Sequence, residues 1–226
     1  MKPRSDCKQQ KTNKHSAFLR GDLSAIVYIV DDDASVRTAI QLRLERAGYR
    51  VVAYASGEDV LKQRPDENRP GCILLDVRMP GLSGPALHSR LLELGSTLPI
   101  LYLSGYADVS TTVQVIKAGA EDFLIKPVDS DELFRAIERA LSSHQTAREL
   151  NREFDILRSR LATLTPRERQ VFALIVTGKL NKVVAHELGT AERTIKAHRR
   201  RVMEKMKART LAELVSFAER LGDPKV

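Results

Sequence analysis

Four short apolar runs in this chain each end at a residue that suits phosphate or Mg²⁺ chemistry. Runs this short, and rich in Val, Ile and Leu, are typical of the buried strands of a parallel β-sheet. In such a sheet the carboxyl ends of all strands share one edge, where ligands bind. We therefore expect carboxylates, a hydroxyl and an ammonium to converge there. The runs and the residues after them are Ile26–Val30 with Asp31, Asp32 and Asp33; Ile73–Leu75 with Asp76; Ile100–Leu103 with Ser104; and Phe123–Ile125 with Lys126 and Pro127.

Length and composition fit a globular protein of two domains. The chain has 226 residues, of which 42% are hydrophobic, enough for two cores. No stretch approaches the roughly 20 apolar residues of a membrane span, and the polar start does not resemble a secretory signal. Cys7 and Cys72 lie far apart, so free thiols in a reducing compartment are favoured over a disulfide. We expect a cytoplasmic protein with no membrane partner.

The formal net charge of +8 is unevenly distributed. Residues 1–24 carry +4, residues 25–145 carry −4, and residues 146–226 carry +8. An acidic segment followed by a basic one indicates that the two parts bind different partners. The polar, lysine-rich residues 1–24 lack apolar periodicity and are interpreted as a disordered basic tail.

Residues 25–141 alternate apolar strands with amphipathic helical patterns, and glycines such as Gly48 and Gly119 mark the helix ends. Five strands and five helices in alternation predict an α/β fold, a doubly wound (βα)5 parallel sheet. The fifth helix is expected to continue as a helical linker over residues 142–163. An apolar seam there fits a short coiled coil or a helix packed on a neighbouring domain equally well. Its members are Leu150, Phe154, Leu157, Leu161 and Leu164.

Residues 164–226 contain only helical patterns and predict a small all-α domain of four helices. Thr165, Pro166 and Glu168 have the spacing of a helix start. A short helix, a turn containing Gly189 and a longer basic helix over Glu192–Met206 indicate a helix-turn-helix. A fourth helix over Leu211–Leu221 follows.

The acidic residues at the strand ends favour a metal site. Asp31, Asp32 and Asp76 would repel one another unless a cation joined them, and Mg²⁺ prefers such oxygen ligands. Lys126 can pair with one phosphoryl oxygen, and Ser104 can donate a hydrogen bond to another. Asp76 stands alone at its strand end and is the natural nucleophile toward phosphorus. The Lys126–Pro127 bond is a candidate cis peptide.

The long basic helix favours DNA binding. Ile195, Val202 and Met206 share one face and are expected in the core. A basic opposite face with one small residue suits the major groove, where Arg and Lys read guanine edges. Residues at the start of the preceding helix could contact phosphates. The candidate DNA contacts are Lys182, Arg193, Thr194, Lys196, Ala197, Arg200 and Arg201.

The first domain resembles the receiver domain of two-component response regulators. The resemblance implies that Asp76 accepts a phosphoryl group from a cognate sensor histidine kinase. It implies that Mg²⁺ is held by Asp31, Asp32, Asp76 and the backbone carbonyl of Arg78. It also implies a switch in which the Ser104 hydroxyl moves to the phosphoryl group and the Phe123 ring turns inward. The motifs are the Asp31-Asp32 pair, Asp76 before Met79-Pro80-Gly81, Ser104-Gly105 and Lys126-Pro127.

The second domain resembles the LuxR-type helix-turn-helix, and the whole chain resembles the FixJ/NarL-type response regulators. The resemblance implies a transcriptional regulator rather than an enzyme, which dimerises on phosphorylation and binds paired half-sites on double-stranded DNA. It also implies RNA polymerase as a further partner. The matching residues are Leu164 to Arg169, Gly178, Asn181, Lys182, Ala185, Leu188, Thr194, Ile195, Lys196 and His198.

Four positions depart from the family pattern. Leu180 replaces the usual serine, so the helix after it should lack a side-chain cap. Lys207 stands where many relatives carry glycine. Arg78 and Tyr106 are bulky residues near the predicted phosphorylation site, and we hypothesise that they screen the acyl phosphate from water.

Two other functional classes remain open from the residues alone. Phosphatases of the haloacid-dehalogenase type also use an aspartyl phosphate, Mg²⁺, a hydroxyl and a lysine, but in them the nucleophile follows the first strand. A small-molecule sensor carrying a LuxR-type domain would need an apolar ligand chamber, and the order of the acids at the strand ends speaks against it.

Overall fold

The computed structural model describes residues 25–105 and 109–222. The chain divides into two compact units, which meet in the sequence at Thr146 and Ala147. The predicted basic tail at residues 1–24 and the predicted screening residue Tyr106 lie outside the described residues. Among the residues described, none of the helices combines the length and apolar character that crossing a bilayer requires.

The first unit contains the predicted doubly wound parallel sheet. Its strand order is β2-β1-β3-β4-β5, and all four neighbouring pairs are parallel. The order reverses between β1 and β3, which is where open α/β sheets bind ligands. The strands are β1 (Ile26–Val30), β2 (Arg50–Tyr54), β3 (Gly71–Asp76), β4 (Ile100–Ser104) and β5 (Asp122–Ile125).

Helices connect the strands and cover both faces of the sheet. Every residue of β1 and β3 is buried, because alternate side chains enter one of two cores. Tyr28 and Leu75 pack in one core, and Ile29 and Leu74 pack in the other. The helices are α1 (Ala34–Arg46), α2 (Gly57–Lys62), α3 (Gly84–Glu93), α4 (Val109–Lys117) and α5 (Ser130–Ala162).

The second unit contains the end of a long helix, α5, and four shorter helices around their own core. The Thr165 hydroxyl accepts from the Glu168 N–H and the Glu168 carboxylate accepts from the Thr165 N–H, which confirms the predicted helix start. As predicted, Leu180 provides no side-chain cap. Lys207 adopts a left-handed backbone conformation with φ 54°. The helices are α6 (Pro166–Ile175), α7 (Asn181–Glu187), α8 (Glu192–Met206) and α9 (Leu211–Leu221).

The C-terminal part of α5 belongs to the second unit and packs against the other helices of that unit. Leu157 is buried, and Leu161 lies against the core that contains Leu164. Arg220 of α9 forms an ion pair with Glu153, and its guanidinium lies 5.5 Å from the ring centre of Phe154. Of the two interpretations of the apolar seam, this arrangement favours a helix packed on a neighbouring domain.

Candidate functional site

The strand ends bring the predicted acidic residues together. Asp31 directly follows β1, and Asp76 is the last residue of β3, the neighbouring strand. One carboxylate oxygen each from Asp31, Asp32 and Asp76 lies within 4.8 Å of the others. This is the juxtaposition of carboxylates that the sequence predicts for a hard cation.

Lys126 completes the cluster from the end of β5. Its Nζ lies 2.5 Å from Asp31 Oδ2 and 2.8 Å from Asp76 Oδ1, so the ammonium donates to both carboxylates. The peptide bond between Lys126 and Pro127 is cis, as the sequence suggested. One amine therefore neutralises part of the negative charge at this edge of the sheet.

Burial sets the electrostatics of the cluster. Asp31 is fully buried, Asp76 is 7% exposed, and Asp32 is exposed to solvent. Burial raises the pKa of Asp76, and the charges of Asp31 and Asp32 raise it further, while the hydrogen bond from Lys126 lowers it only in part. Burial by itself would lower the pKa of Lys126, but its hydrogen bonds to Asp31 and Asp76 raise it above its usual value.

The first turn of α1 fixes Asp31 and excludes Asp33 from the cluster. Asp33 caps α1, since its carboxylate accepts from the Ser35 and Val36 N–H groups. The Asp33 N–H in turn donates to Asp31 Oδ1 at 2.9 Å. Arg37 donates to the Asp31 carbonyl oxygen at 2.6 Å, a contact that sequence reasoning missed because a lone helix arginine carries no signal.

The other predicted receiver residues lie around this cluster. Ser104 ends β4, is 5% exposed, and accepts at its carbonyl from the Lys126 N–H at 2.7 Å. Phe123 is partly buried on β5 and packs against the core that contains Tyr102. The Arg78 side chain is exposed two residues after Asp76.

Helix α8 separates a buried apolar face from an exposed basic one. Ile195, Val202 and Met206 are fully buried, as predicted. Thr194 is half-buried, and Lys182 is exposed at the start of α7. The exposed residues of the predicted DNA face are Arg193, Lys196, Ala197, Arg200 and Arg201.

Two glutamates on α8 pair with the predicted DNA contacts. Glu192 lies 3.1 Å from Lys196 Nζ, and Glu204 lies 2.8 Å from Arg200 Nε. Both pairs have the i,i+4 spacing that such ion pairs favour on helices. The i,i+4 spacing is present in the sequence, and it places an acid beside two of the predicted DNA contacts.

His198 lies on α8 between the two faces. Its side chain is half-buried, and its Nδ1 atom is buried without a hydrogen bond to any residue that the structure describes. The neighbouring Arg199 donates to Asn181 Oδ1 at 3.1 Å and so links α8 to α7. Among these residues, His198 therefore forms no core hydrogen bond through Nδ1.

Comparison with known proteins identifies both parts of the chain. Residues 27–138 match the response regulator receiver domain, and residues 162–218 match the luxR family of bacterial regulatory proteins. Nodulation protein W of Bradyrhizobium diazoefficiens is 42% identical, over 88% of this chain and 87% of its own length. The chain is a response regulator. The tetrathionate response regulatory protein TtrR of Salmonella typhimurium is 41% identical, over 88% of this chain and 95% of its own.

Solved structures of other response regulators support the same family. StyR is 38% identical and superposes with a TM-score of 0.79, over 87% of this chain and 99% of its own. Full-length FixJ from B. japonicum is also 38% identical, with a TM-score of 0.52, over 87% of this chain and 97% of its own. The response regulator is therefore a phosphorylation-dependent transcriptional regulator, and the phosphatase and small-molecule sensor alternatives are rejected.

Proposed function

We propose that Asp76 of this response regulator is the phosphoacceptor. A carboxylate oxygen of Asp76 attacks the phosphorus of a phosphohistidine on the cognate sensor kinase. The new O–P bond forms as the P–N bond breaks, and the imidazole leaves with the electron pair of that bond. Lys126, already beside the Asp76 carboxylate, can then pair with a phosphoryl oxygen, and Ser104 can donate to another.

We propose that Mg²⁺ is held by Asp31, Asp32, Asp76 and the Arg78 carbonyl. The support is the set of three carboxylates within 4.8 Å, two of them buried, which one lysine neutralises only in part. Mg²⁺ would neutralise the negative charge of the transferring phosphoryl group. The surrounding residues of the site would orient the acceptor oxygen of Asp76 and keep the acidic side chains in place before the phosphohistidine arrives.

Phosphorylation is proposed to act through Ser104 and Phe123. The hydroxyl moves to the phosphoryl group, the ring turns inward, and the surface around α4 and β5 changes. Apolar side chains on that surface, Val113, Ile116 and Ile125, are each about half-exposed, which supports a role in receiver dimerisation.

Dimerisation is proposed to control DNA binding. Two DNA-binding domains held together reach paired half-sites at a higher effective concentration than two separate ones. On the DNA, Lys196, Ala197 and Arg200 face the bases. Phosphates or neighbouring bases are contacted by Lys182, Arg193, Thr194 and Arg201. RNA polymerase is the proposed further partner, and the cytoplasm the proposed location, since the regulator must reach the chromosome.

We propose a receiver domain over residues 25–141, a helical linker over residues 142–163 and a DNA-binding domain over residues 164–226. The match to the receiver family ends at residue 138, and α5 continues without a break to Ala162.

The contact of Lys126 with both Asp31 and Asp76 is the observation that carries the proposal. The test compares DNA affinity and oligomeric state with and without beryllofluoride and Mg²⁺, a mimic of the phosphoryl group. We expect a monomer to become a dimer and DNA affinity to rise, with no response in Asp76→Asn. If the wild-type protein changes neither property, the proposed switch is wrong.

A further inference from the structure

The segment between β3 and α3 carries Arg78 and is fixed at both of its ends. The Val77 N–H donates to the Leu103 carbonyl at 3.0 Å, and the Gly84 N–H donates to the Val77 carbonyl at 3.2 Å. Gly84 also lies directly against the strand end, because a Cβ there would be 2.2 Å from the Asp76 carbonyl oxygen. Residues 77–83 therefore form a closed loop beside the phosphoacceptor, which we call the 77–83 loop.

A carboxylate from α2 holds the middle of this loop. Glu58 Oε1 accepts from the Leu82 N–H at 3.0 Å, and the two residues are 24 positions apart in the chain. The approach is close, because a Cβ on Gly81 would lie 2.6 Å from the same oxygen. Gly81 has φ +72°, a conformation that favours glycine. The loop is thus shaped to receive the Glu58 side chain.

The neighbouring acid of the same helix has a different role. The Asp59 carboxylate accepts from the Ser56 hydroxyl, which in turn caps α2. Asp59 therefore bonds within its own helix, whereas Glu58 reaches another segment. The two adjacent acids form a matched pair for experiment.

We infer that Glu58 is a positioning residue for phosphotransfer, which holds the 77–83 loop so that the Arg78 carbonyl is presented to Mg²⁺. The inference rests on the proposed function of Asp76 and deepens it. The required property is the acceptor oxygen at Leu82 rather than the negative charge. Glutamine retains that acceptor, and alanine removes it and leaves the partly buried Leu82 N–H without its partner.

The test compares wild type with Glu58→Ala, Glu58→Gln and Asp59→Ala in the full-length chain. Hydrogen exchange of the Leu82 amide, followed by NMR, reports the contact itself. Mg²⁺ titrations followed by backbone amide shifts report metal binding. Phosphorylation by acetyl phosphate gives the Mg²⁺ concentration for half-maximal rate and the rate at saturating Mg²⁺. Thermal unfolding checks that each variant is folded.

In Glu58→Ala we expect faster exchange at Leu82 and about a tenfold higher half-saturating Mg²⁺ concentration, the size of effect typical of outer-shell partners of metal ligands. The rate at saturating Mg²⁺ should stay near wild type, because Glu58 touches no reacting group. Glu58→Gln and Asp59→Ala should behave as wild type.

Three outcomes would overturn the inference. Glu58→Ala could bind Mg²⁺ as wild type does, Glu58→Gln could bind it as weakly as the alanine variant, or Asp59→Ala could weaken binding equally. If the alanine variant does not fold, Glu58→Met takes its place, because methionine has a similar length and lacks the acceptor oxygen, and it should weaken Mg²⁺ binding in the same way. Wild-type protein that neither binds Mg²⁺ nor accepts phosphate would instead contradict the proposed function itself.

Discussion

Lys207, at the end of the proposed DNA-binding helix, holds a backbone conformation that residues with a Cβ rarely adopt. Its φ of 54° lies in the left-handed region, where the Cβ crowds the following carbonyl at a cost of about 1 kcal/mol. Lys207→Gly should therefore raise the free energy of unfolding by about that amount, as measured by urea denaturation. Lys207→Ala removes the same charge and keeps the Cβ, so it should give no gain. Equal effects of the two variants would mean that charge, not backbone strain, matters here.

Gly84 is required because there is no room for a side chain between it and the backbone of Asp76, the proposed phosphoacceptor. In Gly84→Ala the new Cβ would collide with the Asp76 carbonyl oxygen at 2.2 Å, so the strand end must move. We expect a loss of about 1–3 kcal/mol in unfolding free energy and slower phosphorylation by acetyl phosphate. Gly105→Ala is the control for stability, because among the described residues beyond its chain neighbours no atom lies within 4 Å of its Cβ position. A Gly84→Ala protein as stable as Gly105→Ala would contradict the clash.

Helix α6 depends on an ion pair at its first turn between the buried Glu168 and the partly exposed Lys205. Burial by itself would raise the pKa of Glu168, but hydrogen bonds from Lys205 and the Thr165 N–H outweigh it, and the net pKa lies below its usual value. The stabilisation by ionised Glu168 is therefore complete above its unfolded-state pKa and lost as pH falls through the lower folded-state pKa.

Glu168→Gln should cost about 1.5–3 kcal/mol of unfolding free energy at pH 7, the range for hydrogen bonds to charged groups. The difference from wild type should shrink in acid, when wild-type Glu168 is itself protonated. Urea denaturation across a pH series measures both effects. Glu187→Gln is the control, since Glu187 also pairs with a lysine, Lys179, but on the surface, where such pairs contribute about 0–1 kcal/mol.

Helix α8 carries acids as well as bases on its exposed surface. Glu204 pairs with Arg200, a proposed base contact, and its charge opposes the approach of phosphates. Glu204→Gln should tighten DNA binding by about twofold, the equivalent of one i,i+4 ion pair, measured by titration at several salt concentrations. Glu219→Gln makes the same charge change on α9, outside the proposed DNA contacts, and should have less effect. Equal gains would indicate a response to net charge alone.

The secondary-structure elements were easier to predict from the sequence than the side-chain contacts between them. Apolar runs and strand-end acids predicted the sheet, the juxtaposition of Asp31, Asp76 and Lys126, and the buried face of α8, because periodicity and parallel topology fix these features. The contact of Glu58 with Leu82 left no such signal. A side chain that bridges segments 24 positions apart is decided by rotamers and tertiary packing, which local patterns do not encode.

At the scale of the whole molecule, Mg²⁺ should stabilise the two units unequally. The three clustered carboxylates all belong to the first unit. A ligand at a hundred times its Kd adds about 2.7 kcal/mol to the stability of the unit that binds it. Calorimetry in Mg²⁺ and in EDTA should therefore move the unfolding transition of the first unit and leave that of the second in place. A uniform shift of both transitions would contradict a single site in the first unit.

Asp76→Asn provides the control for this experiment. Because burial raises the pKa of Asp76, its ionised form destabilises the metal-free protein at pH above that raised value. In EDTA at neutral pH the asparagine variant should unfold at a higher temperature than wild type, and the advantage should fade as pH falls through the raised pKa. In Mg²⁺ the variant should gain less than wild type.

The attachment of Arg220 to Glu153 and Phe154 bears on how such regulators are recombined. A chimera that joins a foreign receiver at Leu164 would discard Glu153 and Phe154 together with Leu157 and Leu161. The DNA-binding domain would then lose a helix that packs against it. A junction at Ala147 would carry that helix along. The segment to transfer in such a chimera is therefore longer than the stretch that matches the luxR family, and it begins inside α5.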